Sequence, residues 1–377
     1  MRVAVVGNGA REHALRHVLA RTAVVVDEVA MADLVVIGPE APLSAGLADD
    51  LRADGHVVFG PGVDGARLET SKAWMKEVLT EAGIPTARYK SFGAMQDEQA
   101  VRFLEELPGF YVIKTDYLME GKGVLVTDDL DEAIADARTK LEHGSIVIEE
   151  GMTGPELTVL CVCDGTRAVA LSPSRDHKRI GTGDVGPMTG GMGAFSPVAD
   201  VDGHAIAKSI VQPTLDALRD RGIDYRGCLY AGLMLTPDGP RIIEYNVRFG
   251  DPEAQVVLPR MASDLAQLLL EAAQGELVSE PTFVDAAAVT VVLATGGYPV
   301  KPYDTGHVIE GLAEAEAMDG VEVFRSAVDH EGRAAGGRVL SVTGFGPTVA
   351  DARAKAYAAV GKISWPGMQF RTDIAGA

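Results

Sequence analysis

Cysteine is scarce in this chain. Three occur in 377 residues, Cys161, Cys163 and Cys228, and they show no metal-ligand spacing. Cys161 and Cys163, two apart on an apolar run, share one face of a predicted strand and read as core thiols. A reducing, cytoplasmic setting fits them. Positive charge is also short: 34 Lys and Arg stand against 54 Asp and Glu, a formal net charge of −20. That argues against a nucleic-acid backbone or an anionic membrane as partner, since both require local positive charge. Small anionic substrates stay open, because a local cluster of cations can oppose the global sign. No apolar run approaches the length of a membrane span. The run Val3 to Val6 is too short for a secretory signal and leads into a glycine turn. No low-complexity tract and no internal repeat is present. What remains is the composition of an ordinary soluble globular protein, 47% hydrophobic and 23% charged, long enough for two or three domains.

The apolar pattern describes an α+β chain of three parts. Residues 2–6 read as a buried strand, followed by Gly7-Asn8-Gly9-Ala10-Arg11-Glu12-His13 and a helix. A dinucleotide fingerprint would need its third glycine at position 12, which is Glu12, so the motif predicts only a tight turn at an anion-ready helix start. His13 and His17, four apart, fit a metal pair, but no third ligand is apparent. A short strand over 24–26 and another over 34–37 lie seven residues apart, too close for a crossover between parallel neighbours. Either the first is an edge piece or the region is pared down. Helices are expected over 44–54, 71–82, 130–142 (capped by Asp129), 203–221, 252–274 and 348–360. Strands are expected over 111–114, 123–127, 145–150, 229–236, 240–245, 287–294, 322–324 and 339–343. A hairpin turns at Asp164-Gly165 between 157–163 and 167–172. The stretch 174–193 is polar and glycine-rich.

The densest chemistry lies in Ile242-Ile243-Glu244-Tyr245-Asn246-Val247-Arg248-Phe249-Gly250-Asp251-Pro252-Glu253. Positions i, i+2 and i+4 of a strand share a face, so Glu244, Asn246 and Arg248 can enter one site. Two hard oxygen ligands suit Mg²⁺, and the arginine suits a phosphate or acyl-phosphate oxygen. The competing reading is an edge strand with solvated polar residues. Lys72 opens a helix, Lys114 ends a strand, and Gly121-Lys122-Gly123 sits in a turn; together they could neutralise a triphosphate, though any one could be a solvated surface lysine. Glu149 and Glu150 end a strand where an adenine amino group and a ribose hydroxyl could sit. Ser174-Arg175-Asp176-His177-Lys178-Arg179 and Thr189-Gly190-Gly191-Met192-Gly193 suit a substrate carrying both phosphate and amine, with a solvated loop as the alternative.

These motifs, together with Gly38-Pro39-Glu40-Ala41-Pro42-Leu43, Ser71-Lys72-Ala73, Leu229-Tyr230-Ala231-Gly232-Leu233-Met234, Gly296-Gly297-Tyr298-Pro299 and Gly336-Gly337-Arg338-Val339-Leu340, resemble the glycinamide ribonucleotide synthetase (phosphoribosylamine–glycine ligase) family of the ATP-grasp superfamily, in family order over nearly the whole chain. The resemblance implies an ATP-grasp fold: a small nucleotide-like, α/β-type N-domain over 1–65, a two-lobed core over 66–278 and an α+β C-terminal domain over 279–377. It implies that ATP phosphorylates the carboxylate of glycine and that the amine of 5-phosphoribosylamine attacks the glycyl phosphate. Carried over by position, Glu244 and Asn246 bind Mg²⁺, with Mn²⁺ as an alternative. Lys72, Lys114, Gly121, Lys122 and Gly123 hold the ATP phosphates, and Glu149, Glu150 and Glu156 line the adenosine. Asp176, His177, Lys178, Arg179, Gly190, Gly191, Gly193, Arg248, Gly9, Glu12, Glu40, Asp251 and Arg338 face the substrates. Arg248, Lys114, Asp176 and Lys178 are the catalytic candidates. Monomer and dimer are both open.

Three departures stand out. The family's longer N-domain carries a Pro-Gly-Asn loop and a further helical unit before the Gly-Pro-Glu turn, and that block is missing here. The phosphate loop carries Tyr117 in place of a glycine and also Glu120. Met188 replaces an asparagine in the usual Gly-Pro-Asn-Thr-Gly-Gly. A paralogous ligase with another amine or amino acid, and a non-catalytic nucleotide-binding protein, are the alternatives.

Overall fold

The computed structural model describes residues 1–116 and 123–376. Among the described residues four larger sheets and one two-stranded hairpin carry the chain. The first is all parallel, in the order Val24–Val26, Arg2–Val6, Leu34–Ile37, Val58–Phe59. The second, antiparallel, is ordered Tyr89–Phe92, Ile146–Glu150, Tyr111–Thr115, Val124–Thr127. The third, also antiparallel, is ordered Ala168–Ala170, Glu156–Asp164, Arg226–Thr236, Gly239–Asn246. The fourth is ordered Arg175–Asp176, Gly193–Ser196, Ala287–Ala294, Arg338–Gly346, Val321–Arg325.

The seven-residue link near the N-terminus has a geometric explanation. Val24–Val26 is the sheet edge, and Leu34–Ile37 pairs on the other side of Arg2–Val6. Val26 is level with Ala4 and Leu34 with Val3, so the chain needs to return by only one residue along the strands. A single 3₁₀ turn, Val29–Met31, makes the link.

The first sheet does not own its core. Val3, Val5, Leu34 and Val36 pack with Leu15 and Leu19 of the helix Ala10–Leu19, but also with Val257, Leu265 and Leu269 far along the chain. On its other face Val35, Ile37 and Val58 join Met75, Leu79, Leu157, Val159, Ile242 and Tyr245. Alternation along each strand sends successive side chains to the two faces. The fourth sheet is likewise completed by two short strands, 175–176 and 193–196, from within the central segment.

Three local expectations are revised. The helix over 44–54 is two helices, Glu40–Ser44 and Leu47–Ala53, parted by Gly46 at φ +89°, a conformation a helix interior cannot hold. The polar stretch 174–193 contains strands, including the hairpin Arg179–Gly181 with Val185–Met188; its polar ladder carries no apolar alternation to read. His13 and His17 do not face a metal. Both rings meet Phe324 edge-on, His13 Nδ1 accepts from the Arg325 amide at 2.9 Å, and His17 pairs with Glu322 at 3.1 Å, so they dock the N-terminal helix on the C-terminal sheet. All three cysteines are buried and free, Cys161 and Cys163 as the strand pattern implied. Among the described residues no helix is long and apolar enough to cross a membrane.

Candidate active site

A cleft of about 1540 Å³ is lined by strands of the second, third and fourth sheets and by the helix start at Glu40 that follows the first. One wall is the strand Gly239–Asn246. Its pairing with Arg226–Thr236 slips between Gly232 and Leu233, which face Glu244 and Ile242 and leave Ile243 as the extra residue of a bulge. Bulges re-aim side chains beside active sites. Here Ile242 and Tyr245 both enter the core, while Ile243, Glu244 and Asn246 line the cleft. The Glu244 carboxylate makes no hydrogen bond or ion pair among the described residues. Burial opposes its charge, but Lys178, Lys114 and Lys72 outweigh burial and hold it below the usual carboxylate range. An ionised, unpartnered carboxylate beside the Asn246 amide oxygen is a donor set that fits Mg²⁺. Among the described residues no group of three His, Cys, Asp or Glu side chains forms a closed metal cage.

Opposite this strand stand the lysines. Ser71 caps the helix Lys72–Glu81 through the Trp74 amide, and Asp116 accepts from the Ala73 amide at 3.0 Å, fixing the helix start that presents Lys72 to the cleft. Lys114 Nζ lies 2.7 Å from Glu149 Oε1 and donates to the Ile243 carbonyl at 3.0 Å. Lys76 Nζ takes the other oxygen of Glu149, also at 2.7 Å, and donates to Thr86 Oγ1 at 2.6 Å. Thr86 in turn donates to the Ile242 carbonyl at 2.7 Å. The bulged strand is thus tied to Lys114 through a buried Lys76–Glu149–Lys114 row. Both Glu149 oxygens are occupied by lysines, while Glu150 accepts from the Arg88 amide at 3.0 Å. Gly123 lines the cleft. Gly121 and Lys122, with Tyr117 and Glu120, fall outside the described residues.

The substrate-side candidates divide into two rows. Glu156, Asp176, His177, Lys178, Arg179, Gly190 and Glu40 line the cleft. Lys178 bridges Glu156 at 2.7 Å and Asp176 at 3.1 Å, which joins the third sheet to the polar loop. Behind them, Arg338 donates to the carbonyls of Gly190 at 2.6 Å and Asp251 at 2.8 Å and pairs with the Asp251 carboxylate at 3.2 Å. It holds the glycine loop, whose Gly191 packs against Pro252. Gly193 lies in the strand beneath. Arg248 is held by Glu69 at 3.1 Å and Glu40 at 3.5 Å; burial disfavours its charge, but these carboxylates more than compensate. Its buried Nε makes no hydrogen bond among the described residues and is the atom that faces the Glu40 carboxylate at 3.5 Å. Glu12 is turned inward: its oxygens accept from the Gly9 amide at 2.7 Å and Arg11 Nε at 2.6 Å, and its side chain fills the space over Gly7 and Gly38. Gly9 and Glu12 shape the turn beneath the site.

Sequence reasoning passed over Lys76, Glu69, Glu253 and Arg371. Lys76 had a signal, a charge four residues after Lys72 within the apolar stripe Met75, Val78, Leu79. Glu253 is 2% exposed and accepts from the Tyr230 hydroxyl at 2.8 Å. Burial, then Asp176, push its carboxyl up to about 7. A carboxyl that is protonated when folded and ionised when unfolded stabilises the fold below its unfolded pKa of about 4.3, and the benefit is lost as pH rises to about 7. Glu253→Gln should therefore gain on the wild type between pH 5 and 8, by up to roughly 3 kcal/mol. Urea unfolding at four pH values measures this; a pH-independent difference would show that Glu253 does not titrate there.

Comparisons with known proteins show the family. Residues 24–69, 70–254 and 288–377 match the N, ATP-grasp (A) and C domain models of phosphoribosylglycinamide synthetase. The chain is 44% identical over 416 aligned residues to phosphoribosylamine–glycine ligase of Streptomyces coelicolor, covering 100% of this chain and 99% of that one. The chain belongs to the phosphoribosylglycinamide synthetase family. Another family relative, the Mesorhizobium japonicum ligase, is 45% identical over 355 residues, 91% of this chain and 83% of its own. The structure of phosphoribosylamine–glycine ligase from Thermotoga maritima superposes with a TM-score of 0.87 at 32% identity, over 99% of this chain and 100% of that one. A biotin carboxylase from Campylobacter jejuni, at 12% identity and a TM-score of 0.70 over 98% of this chain and 92% of its own, shares the fold alone. The Streptomyces alignment spans 416 positions against 377 residues here, so part of that relative has no counterpart in this chain.

Proposed function

We propose that this chain is an ATP- and Mg²⁺-dependent ligase that joins glycine to 5-phosphoribosylamine, giving glycinamide ribonucleotide, ADP and phosphate in purine biosynthesis. The observation that carries this reading is that Glu244 and Asn246 line one cleft together with Lys72 and Lys114, while Arg248 sits behind the lining residue Glu40. The γ-phosphoryl group passes from ATP to the glycine carboxylate; the amine then attacks the acyl carbon, phosphate leaves, and one proton is released. Held by Glu244 and Asn246, Mg²⁺ or Mn²⁺ supplies neutralisation of phosphate charge. Lys72 and Lys114 bind the phosphates, and Arg248, held by Glu69 and Glu40, offers its positive charge to an acyl-phosphate oxygen. The loop Asp176–Arg179 and Gly190 orient the substrates. Such a site acts by positioning and charge, with no enzyme nucleophile. The units 1–65, 66–278 and 279–377 divide this work. A cytoplasmic monomer or dimer, with no nucleic acid or membrane as partner, completes the reading.

The pared-down N-terminal region, and Met188 at the cleft wall, favour one second reading: the same ligase chemistry with another amine. ADP release with ATP, Mg²⁺, glycine and freshly generated phosphoribosylamine, leaving out each in turn, separates the two. The expected result is ADP formation that needs both glycine and phosphoribosylamine. ADP formation that needs glycine but ignores phosphoribosylamine would move the acceptor to another amine.

A further inference from the structure

The hairpin Arg179–Gly181 with Val185–Met188 carries Arg179 and adjoins His177 and Lys178, yet it is a two-stranded sheet by itself with Val185 59% exposed. An isolated two-stranded hairpin is at best marginally stable in water. Something outside it must hold its pose.

The segment 371–375 meets the hairpin and the adjoining His177 through several hydrogen bonds. Arg371 is 1% exposed, and its Nη1 donates to the Arg179 carbonyl at 3.1 Å and to Asp184 Oδ1 at 2.9 Å. Asp373 accepts from the Gly183 amide at 2.9 Å while binding Arg371 in a fork, Nε to Oδ1 at 2.8 Å and Nη2 to Oδ2 at 2.7 Å. The Thr372 amide donates to Thr182 Oγ1 at 3.0 Å, and the Ala375 amide to His177 Nε2 at 3.2 Å. The segment is itself anchored. Tyr357, on the helix Val349–Val360, donates its hydroxyl to the Arg371 carbonyl at 2.7 Å; Arg353 donates to the Thr372 carbonyl at 2.7 Å; Ile374 is fully buried. A rigid helix of the C-terminal domain is thereby connected, through one buried guanidinium, to the loop that faces the substrates.

We propose that Arg371 is a positioning residue for the ligase reaction: fixed by Asp373, it latches the 179–188 hairpin and so sets the pose of His177, Lys178 and Arg179 toward the acceptor substrate, while the nucleotide side is held independently by the Lys76–Glu149–Lys114 row. This rests on the ligase reading above. It gives the C-terminal domain a role in the acceptor half of the reaction only. Arginine is needed because its planar fork satisfies Asp373 with two donors and leaves a third nitrogen for the hairpin, which a lysine cannot do.

The test uses the full chain with Arg371→Met and, because Arg371 is buried, the milder Asp184→Asn, whose carboxylate is 67% exposed. In Arg371→Met the KM for phosphoribosylamine should rise at least tenfold with the KM for ATP within twofold of wild type; Asp184→Asn should shift the same way by a smaller factor. Limited trypsin digestion, with cut sites mapped by mass, should show cleavage after Lys178 or Arg179 at least tenfold faster in Arg371→Met. Equal rises in both KM values, or unchanged cleavage at these two sites in both variants, would overturn the latch. If wild-type protein turns over without phosphoribosylamine, the ligase reading fails separately, and the cleavage rates alone decide whether Arg371 holds the hairpin.

Discussion

Glu244→Ala should lower kcat/KM by about 10³-fold, roughly 4 kcal/mol of transition-state stabilisation, while leaving the fold intact. The carboxylate makes no hydrogen bond or ion pair among the described residues, so its removal orphans none of their groups. What it does is oppose three cations: Lys178, Lys114 and Lys72 hold it ionised against burial. Taking it away removes the charged member of the proposed metal pair and leaves Asn246, a neutral oxygen that already accepts from Arg248 at 3.3 Å. The informative readout is thermal. Ligand that binds only the folded state raises the melting temperature in proportion to its binding free energy. In wild type ATP with Mg²⁺ should raise it more than ATP alone. In Glu244→Ala the Mg²⁺ increment should vanish and the ATP increment should persist, since the lysines remain. If the variant keeps the full Mg²⁺ increment, the metal lies elsewhere.

Much of this site was legible in the sequence because it lies on regular elements. Glu244 and Asn246 are two apart on one strand, and that spacing placed them together. The bulge at Ile243 was not legible, since one extra residue in a ladder leaves no compositional mark; the reading survived because the bulge precedes Glu244. Lys72 and Lys114 were found at a helix start and a strand end. Glu149 was singled out too, but to line the adenosine; its pairing with Lys114 and with Lys76, which packs from another helix turn, was not legible. The two-stranded contribution of 175–176 and 193–196 to the C-terminal sheet, and the grip of Arg371 on Arg179 and Asp184, join residues more than 90 positions apart. Nothing local encodes such pairs. Gly46, by contrast, was a visible breaker inside an apolar helical pattern, and the structure ends one helix there.

Glu149→Ala should be the most destabilising single change at the site. Lys76 has no exposure, Lys114 has 4%, and both oxygens of Glu149 are their counter-charges. Removing one member of a buried ion network leaves uncompensated charge, which costs about 3–5 kcal/mol. The sign of the pH dependence tests the cause. Burial already lowers Lys76 to about 8 with Glu149 in place. For a base depressed in the folded state, the folded protein binds fewer protons than the unfolded one, so stability rises with pH from about 8 toward the unfolded value near 10.4. Without Glu149 the folded lysine loses its proton at still lower pH, and the rising window opens downward. The penalty of Glu149→Ala should therefore be larger at pH 6 than at pH 9, measured by urea unfolding at both. The KM for ATP should rise at least tenfold, because Lys114 keeps only the Ile243 carbonyl to aim it. Glu149→Gln, which retains the shape and one acceptor oxygen, should cost about half as much. A penalty equal at pH 6 and 9 would mean that the lysines find other counter-charges on relaxation, and that Lys114 is aimed at the phosphates by the bulged strand alone.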